Sequence, residues 1–143
     1  MDIRQITPGY AVSPQIDPQD LPALKAAGYT RIINNRPDAE IPPSHHTEVM
    51  QAAAEALGLE FVVNPVVGGA ITMENVKTQG AAIDGAAGQI LAYCASGNRS
   101  SIVWALSQAG KMPTDDIIAL PSRYGYQMEQ WRDQIETLAL QHG

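Results

Sequence analysis

Three short apolar runs rich in β-branched residues recur along the chain: "RIIN" at 31–34, "FVVNPVV" at 61–67 and "QILAYC" at 89–94. Each is too short for a stable helix and reads as a buried strand. The stretches between them switch to helical spacing. Asp17 before Pro18 forms an N-cap with proline in the first turn, predicting a helix to about Ala27 that Gly28 ends. Ser44 caps a second predicted helix, "HHTEVMQAAAEAL", stopped at Gly58. Thr72 caps a third, "MENVKTQGAAIDGAA", with Gly80 and Gly85 as its weak points. Beyond the third run, "SSIVWALSQAG" predicts a fourth helix and "TDDIIAL", acidic in its first turn, a fifth that Pro121 ends. The last helix, "YQMEQWRDQIETLALQ", carries Met128, Trp131, Ile135 and Leu138 at helical spacing, a stripe that reads as core. An early "IRQITPGYAVS" predicts an edge hairpin. Strand and helix alternate, which predicts one α/β domain over residues 1–143, with a mostly parallel central sheet flanked by helices.

Composition narrows the function classes. A formal net charge of −6 argues against nonspecific binding to nucleic acid or anionic membranes, and aromatic and basic residues form no shared array. A small anion held in one local pocket stays compatible with that charge. One cysteine forms no internal disulfide, so a reducing cytoplasm is the expected location. "MDIRQITPGY" lacks the basic and apolar blocks of a signal peptide. No run approaches the roughly 20 apolar residues that span a bilayer. Walker-type, dinucleotide and EF-hand spacings are missing, and no cofactor is expected. His45 and His46 are adjacent, so on a helix they would point about 100° apart and not share a metal.

The chemistry concentrates in "ILAYCASGNRSSIVWAL", residues 90–106. Cys94 ends a predicted strand, the loop Ala95-Ser96-Gly97-Asn98 follows, and a helix begins near Arg99 or Ser100. Ligands of open α/β sheets bind where strands end and helices begin. Backbone N–H groups in such a turn make an anion nest, and the helix adds its positive end. Gly97 lets the loop curl where a side chain would clash. These features favour a thiolate, the nucleophilic form of cysteine. Arg99 offers a planar fork for two oxygens of a phosphate, sulfate or thiosulfate, and Ser100 is placed to donate to the sulfur.

"YCASGNRSS" resembles the Cys-loop-Arg-Ser signature of protein tyrosine and dual-specificity phosphatases. More closely, "ITPGYAVSPQI", "LKAAGYTRIINNRPDAE", "AAAEALGLEFVVNPV", "ITMENV" and "GQILAYCASGNRSSIVWAL" together resemble the bacterial beta-lactamase hydrolase-like protein, phosphatase-like domain family. The resemblance implies a phosphatase-like α/β fold, with Cys94 as nucleophile, Arg99 as oxyanion binder and Ser96, Gly97 and Asn98 as loop donors. It also implies Arg36 and Asp38, in "NNRPDAE", near the same pocket. Fused relatives of this family imply a persulfide dioxygenase as partner.

Three departures from the phosphatase pattern shape the functional expectation. Four residues, not five, separate Cys94 from Arg99, as in rhodanese-type sulfurtransferases. Tyr93 stands where phosphatases place histidine, and the turn "NPVVGGA" at 64–70 carries no acid to protonate a leaving group. That proton is typically worth about 10²–10⁴-fold to an oxide leaving group; sulfite and thiolates leave without it. The expectation is therefore a sulfurtransferase acting on a small sulfur-containing anion through a Cys94 persulfide. The alternatives are a phosphatase working through phosphocysteine, with Asp38, Asp84 or the substrate as acid, and a noncatalytic phosphate- or sulfate-binding module. The Gly68-Gly69 pair reads equally as a lid hinge or a simple turn.

Overall fold

The computed structural model describes residues 1–142. A hairpin opens the chain: Arg4–Thr7 (β1) pairs antiparallel with Tyr10–Ser13 (β2). Only its first strand lies at an edge. All four residues of β2 are buried, because it pairs in parallel with Gln89–Tyr93 (β5) on its other side. The expected edge hairpin is thus half interior, and alternation of the short apolar "YAV" with turn residues was too brief a signal to show it. Tyr29–Asn34 (β3) and Glu60–Val63 (β4) complete a sheet of order β1-β2-β5-β3-β4, parallel apart from β1.

Six α-helices connect and flank the strands: Leu21–Ala26 (α1), Thr47–Ala56 (α2), Met73–Asp84 (α3), Asn98–Ser107 (α4), Thr114–Ser122 (α5) and Arg132–His142 (α6). Thr72 caps α3 as its sequence predicts, accepting from the Asn75 N–H at 3.1 Å. The helix expected from Ser44 instead begins at Thr47, because residues 43–45 form a separate 3-10 turn and His46 is extended. Pro121 does not stop α5 at once; it sits inside the final turn, and the helix ends at Ser122.

Each helix chooses a face by what the strands present. Along β5, Ile90 and Ala92 join a core with Trp104 and Leu106 of α4, while Leu91 and Tyr93 join the opposite core with Leu24 of α1 and Met50 of α2. The period-2 alternation of a strand buried on both sides produces this split. The helix after β3 (α2) and the helix after β5 (α4) therefore leave toward opposite faces. Adjacent parallel strands that part in this way open a crevice at their carboxyl ends, the usual ligand position in open α/β sheets. The backbone N–H of Asn35 donates to the Tyr93 carbonyl at 2.8 Å and ties the two strand ends together at that crevice.

Trp104 anchors the core beneath it, 1% exposed and stacked on Tyr10 with ring centroids 6.0 Å apart. Trp104→Ala should cost about 3–5 kcal/mol in urea unfolding, from lost burial and the cavity left behind.

Candidate active site

Cys94 is the first residue past β5 and is fully buried. The next residues turn sharply, and Gly97 reaches φ +93° as the N-cap of α4. Its N–H donates to Cys94 Sγ at 3.1 Å, so a backbone dipole points at the sulfur. Asn98 N–H donates to Ser96 Oγ at 3.3 Å, and Ser101 N–H makes the first bond of the helix, to Gly97 O. The N–H groups of Ala95, Ser96, Arg99 and Ser100 have no protein partner among the described residues. A curl of open donors at a helix N-terminus suits an anion.

The loop is braced from outside. Tyr126 Oη donates to Ser96 O at 2.7 Å and accepts from Arg4 Nη1 at 2.6 Å. Burial pushes the Tyr126 phenol above its ordinary pKa, which keeps it a donor. A Cβ on residue 97 would overlap that hydroxyl, so glycine is required there for space as well as for its positive φ.

Beneath the loop lies a buried polar network. Ser100 Oγ donates to Asn35 Oδ1 at 2.9 Å rather than to the cysteine sulfur. Asn35 Nδ2 donates to Asn64 O and to Gln79 Oε1, both at 2.9 Å. Gln79 Nε2 donates to Tyr10 Oη at 3.0 Å, and Tyr10 Oη donates to Ser100 O at 2.8 Å. Burial drives the Tyr10 phenol far above its ordinary pKa, so it remains protonated. The network closes on itself through β2, β3, α3 and α4.

Arg99 is divided between two jobs. Its Nη1 and Nη2 grip Glu40 Oε2 and Oε1, each at 2.7 Å, and Nη1 also donates to Val66 O at 2.8 Å. The Nε–Nη2 edge of the guanidinium remains for another ligand; the Arg99 pKa is raised first by the bond to Glu40, with the neighbouring Cys94 sulfur adding to it. Glu40 in turn is held below the usual carboxylate range, first by its bond to Arg99. The turn at 64–70 thus supplies Arg99 with a carbonyl, and Val67–Ala70 closes as a simple turn with Gly69 at φ +77°.

The other expected residues separate. Arg36 reaches the site through Glu40, with Nε 3.4 Å from Oε1 and Nη2 3.2 Å from the Glu40 carbonyl. Asp38 caps α2, accepting from Thr47 N–H at 2.8 Å and Thr47 Oγ1 at 2.9 Å. Asp84 pairs with Lys111 at 2.9 Å. It precedes β5 while Cys94 follows it, and a five-residue strand at ~3.3 Å per residue puts roughly 15 Å or more between them. Asp84 is therefore no acid for this loop. His45 meets Asp17 and Ser44, and His46 meets Ile41 O, so the two imidazoles serve different loops.

Glu40, Tyr126, Tyr10, Asn35 and Gln79 all escaped the sequence reading. Gln79 had a readable signal: it falls three residues from both Val76 and Ala82 on the buried stripe of α3. A polar residue inside an apolar stripe marks a buried network.

Comparisons with known proteins give the family and the fold. Residues 2–111 match the family model described as "Beta-lactamase hydrolase-like protein, phosphatase-like domain". A beta-lactamase hydrolase-like protein of Xylella fastidiosa (strain 9a5c) is 33% identical over 143 residues, 99% of this chain and 33% of the relative. One from Agrobacterium fabrum is 31% identical over 111 residues, 76% of this chain and 26% of the relative. The chain thus spans about a third or less of the length of these curated relatives. Among solved structures, a Neisseria meningitidis Z2491 protein provisionally described as a phosphatase superposes with a TM-score of 0.80 at 29% identity, covering 96% of this chain and 99% of that one. The human tyrosine phosphatase-like serine/threonine/tyrosine-interacting protein superposes at 0.72 and 18% identity, covering 98% and 97%. The fold is that of the protein tyrosine and dual-specificity phosphatases.

Two measurements probe the site. Gly97→Ala should lose about 1–3 kcal/mol of stability through backbone strain and the Tyr126 overlap, and alkylation of Cys94 should slow with it. The lowered pKa of Glu40 means its ion pair stabilises the fold above the ordinary carboxylate pKa of about 4.3 and ceases to do so as pH falls through the lower folded value. The gap in urea midpoint between wild type and Glu40→Gln should accordingly be full at pH 7 and close in acid.

Proposed function

Because the chain belongs to the beta-lactamase hydrolase-like protein, phosphatase-like domain family, we propose that it carries out cysteine-dependent group transfer at Cys94, with sulfane sulfur as the group passed on. One observation carries the choice of group. The two carboxylates contributed by the loop after β3 are both engaged as acceptors, Glu40 on Arg99 and Asp38 on Thr47. An alkoxide leaving from phosphorus needs a proton donor; sulfite leaving from sulfur does not. Glu40 also offsets much of the Arg99 charge, which favours a singly charged organic persulfide over a dianion, whether phosphate or thiosulfate.

The cycle balances without an oxidant. The Cys94 thiolate attacks the outer sulfur of thiosulfate or of an organic persulfide. An S–S bond forms on Cys94, the donor's S–S bond breaks, and sulfite or a thiolate leaves with the electron pair. The free edge of Arg99 and the open loop amides hold the donor's oxygens. An acceptor thiolate or cyanide then attacks the outer sulfur, and the pair returns to Cys94. Within this reading a persulfide dioxygenase would be a downstream partner that consumes the product persulfide.

Phosphate-ester hydrolysis through a phosphocysteine is the second reading, and the resemblance to proteins described as phosphatases favours it. Intact mass separates the two. Thiosulfate under nonreducing conditions should add one sulfur atom, removed by cyanide and missing in Cys94→Ser; since Cys94 is the lone cysteine, the assignment is unambiguous. Unchanged mass after thiosulfate and after an organic persulfide, with Cys94-dependent release of phosphate from aryl phosphates, would establish the second reading instead. Cys94→Ser that keeps full anion affinity while wild type turns nothing over would mark a binding module.

A further inference from the structure

Arg4 and Tyr126 come from opposite ends of the chain and meet at the cysteine loop. Arg4 lies on β1, at the edge of the sheet, and Tyr126 in the link between α5 and α6. Three hydrogen bonds run in series from Arg4 to the sulfur. Arg4 Nη1 donates to Tyr126 Oη at 2.6 Å, Tyr126 Oη donates to Ser96 O at 2.7 Å, and Gly97 N–H donates to Cys94 Sγ at 3.1 Å. The last two bonds belong to one peptide group, because Ser96 O and Gly97 N flank the same peptide bond. A trans peptide is planar, and its C=O and N–H point opposite ways. Whatever holds the Ser96 carbonyl outward therefore aims the Gly97 N–H inward at the sulfur. Arg4 Cζ also lies 5.3 Å from the centre of the Tyr126 ring, so the cation steadies the ring as well as its hydroxyl.

The charges around Cys94 give that series a purpose. Arg99 on α4 is the nearby cation, and Glu40 already grips it with two bonds. Tyr10 on β2 is close enough to feel the sulfur, but burial keeps its phenol protonated and neutral. Arg4 is the second cation tied to the loop. Asp2 holds its other nitrogen at 2.5 Å, yet that carboxylate is 61% exposed and water screens it.

We propose that Arg4 and Tyr126 are positioning residues for the Cys94 nucleophile. The Arg4 charge polarises the Tyr126 hydroxyl, the hydroxyl polarises the Ser96–Gly97 peptide, and the peptide N–H stabilises negative charge on the sulfur. The inference rests on Cys94 as nucleophile and holds whichever group the sulfur transfers. No proton changes owner and no covalent bond forms or breaks. Hydrogen bonds in series strengthen one another, by roughly 10–30% per bond in condensed phases.

The test is the pH dependence of Cys94 alkylation by iodoacetamide, followed by intact mass in wild type, Tyr126→Phe, Arg4→Met and Arg4→Lys. As Cys94 is the sole cysteine, the curve reports one sulfur. Its plateau rate measures access to the buried atom; its position along the pH axis measures how well the anion is stabilised. In Tyr126→Phe and in Arg4→Met the thiolate-to-thiol ratio at a given pH should fall about threefold to tenfold, seen as a move of the whole curve to higher pH. Arg4→Lys, which keeps the charge, should recover most of that move. A curve that moves in Tyr126→Phe but not in Arg4→Met would reduce the phenol to a brace and overturn the inference. Changes confined to the plateau, or none, overturn it as well. Should Tyr126→Phe fail to fold, Arg4→Met and Arg4→Lys decide alone, because Arg4 reaches the loop through the phenol. No sulfur donor enters this test, so a wild type that takes no sulfur from thiosulfate or an organic persulfide would sink the transfer reading and leave this one standing.

Discussion

Asn35 is the residue on which the site depends. Its backbone N–H fixes the end of β3 to the end of β5, and its side chain accepts from Ser100 while donating to Asn64 O and Gln79. Without those bonds the first turn of α4 would have no fixed height above the sheet, and Cys94 would sit on a loop free to slide. A buried carboxamide is costly when unpaired and rigidifying when every group is met. Here the groups are met, by three residues from separate parts of the chain: Asn64 after β4, Gln79 on α3 and Ser100 on α4. The cysteine loop is thereby held from below by Asn35, Gln79 and Tyr10 and from outside by Tyr126.

Arg99 inherits that rigidity. Its position on α4 is set by the network, and Glu40 then sets its orientation with two parallel bonds. A guanidinium has two edges that can grip a pair of oxygens. Committing one edge to a carboxylate leaves the other pre-aimed, so less side-chain freedom is lost when an anion arrives. The same arrangement lowers the net charge the anion meets. Orientation and charge selection are two effects of one ion pair.

Much of this was legible in the sequence, and the failures share a cause. The strands at 29–34 and 89–93 and the cap at Thr72 are local patterns, set by neighbours in the chain. The loop joining Cys94, Gly97 and Arg99 to the start of α4 is local as well, since these residues lie close together in the chain. What did not show was pairing across the sheet: Asn35 with Gln79, Arg99 with Glu40, Ser96 with Tyr126. In "NNRPDAE" the reading favoured Asp38, yet the 3-10 turn over Asp38–Glu40 points Asp38 to the start of α2 and Glu40 to Arg99. Two acids two residues apart are indistinguishable without that turn. Likewise β2 read as an edge because only tertiary packing reveals that β5 returns between it and β3.

The solitary thiol carries one more implication. Should peroxide oxidise Cys94 to a sulfenic acid, no second cysteine within this chain can capture it as an internal disulfide. The sulfur is buried at the base of its loop, so a large protein reductant would meet the loop before the atom. Repair would fall to a small thiol able to enter the same crevice. The supply of such thiols would then set how long the protein survives an oxidising episode.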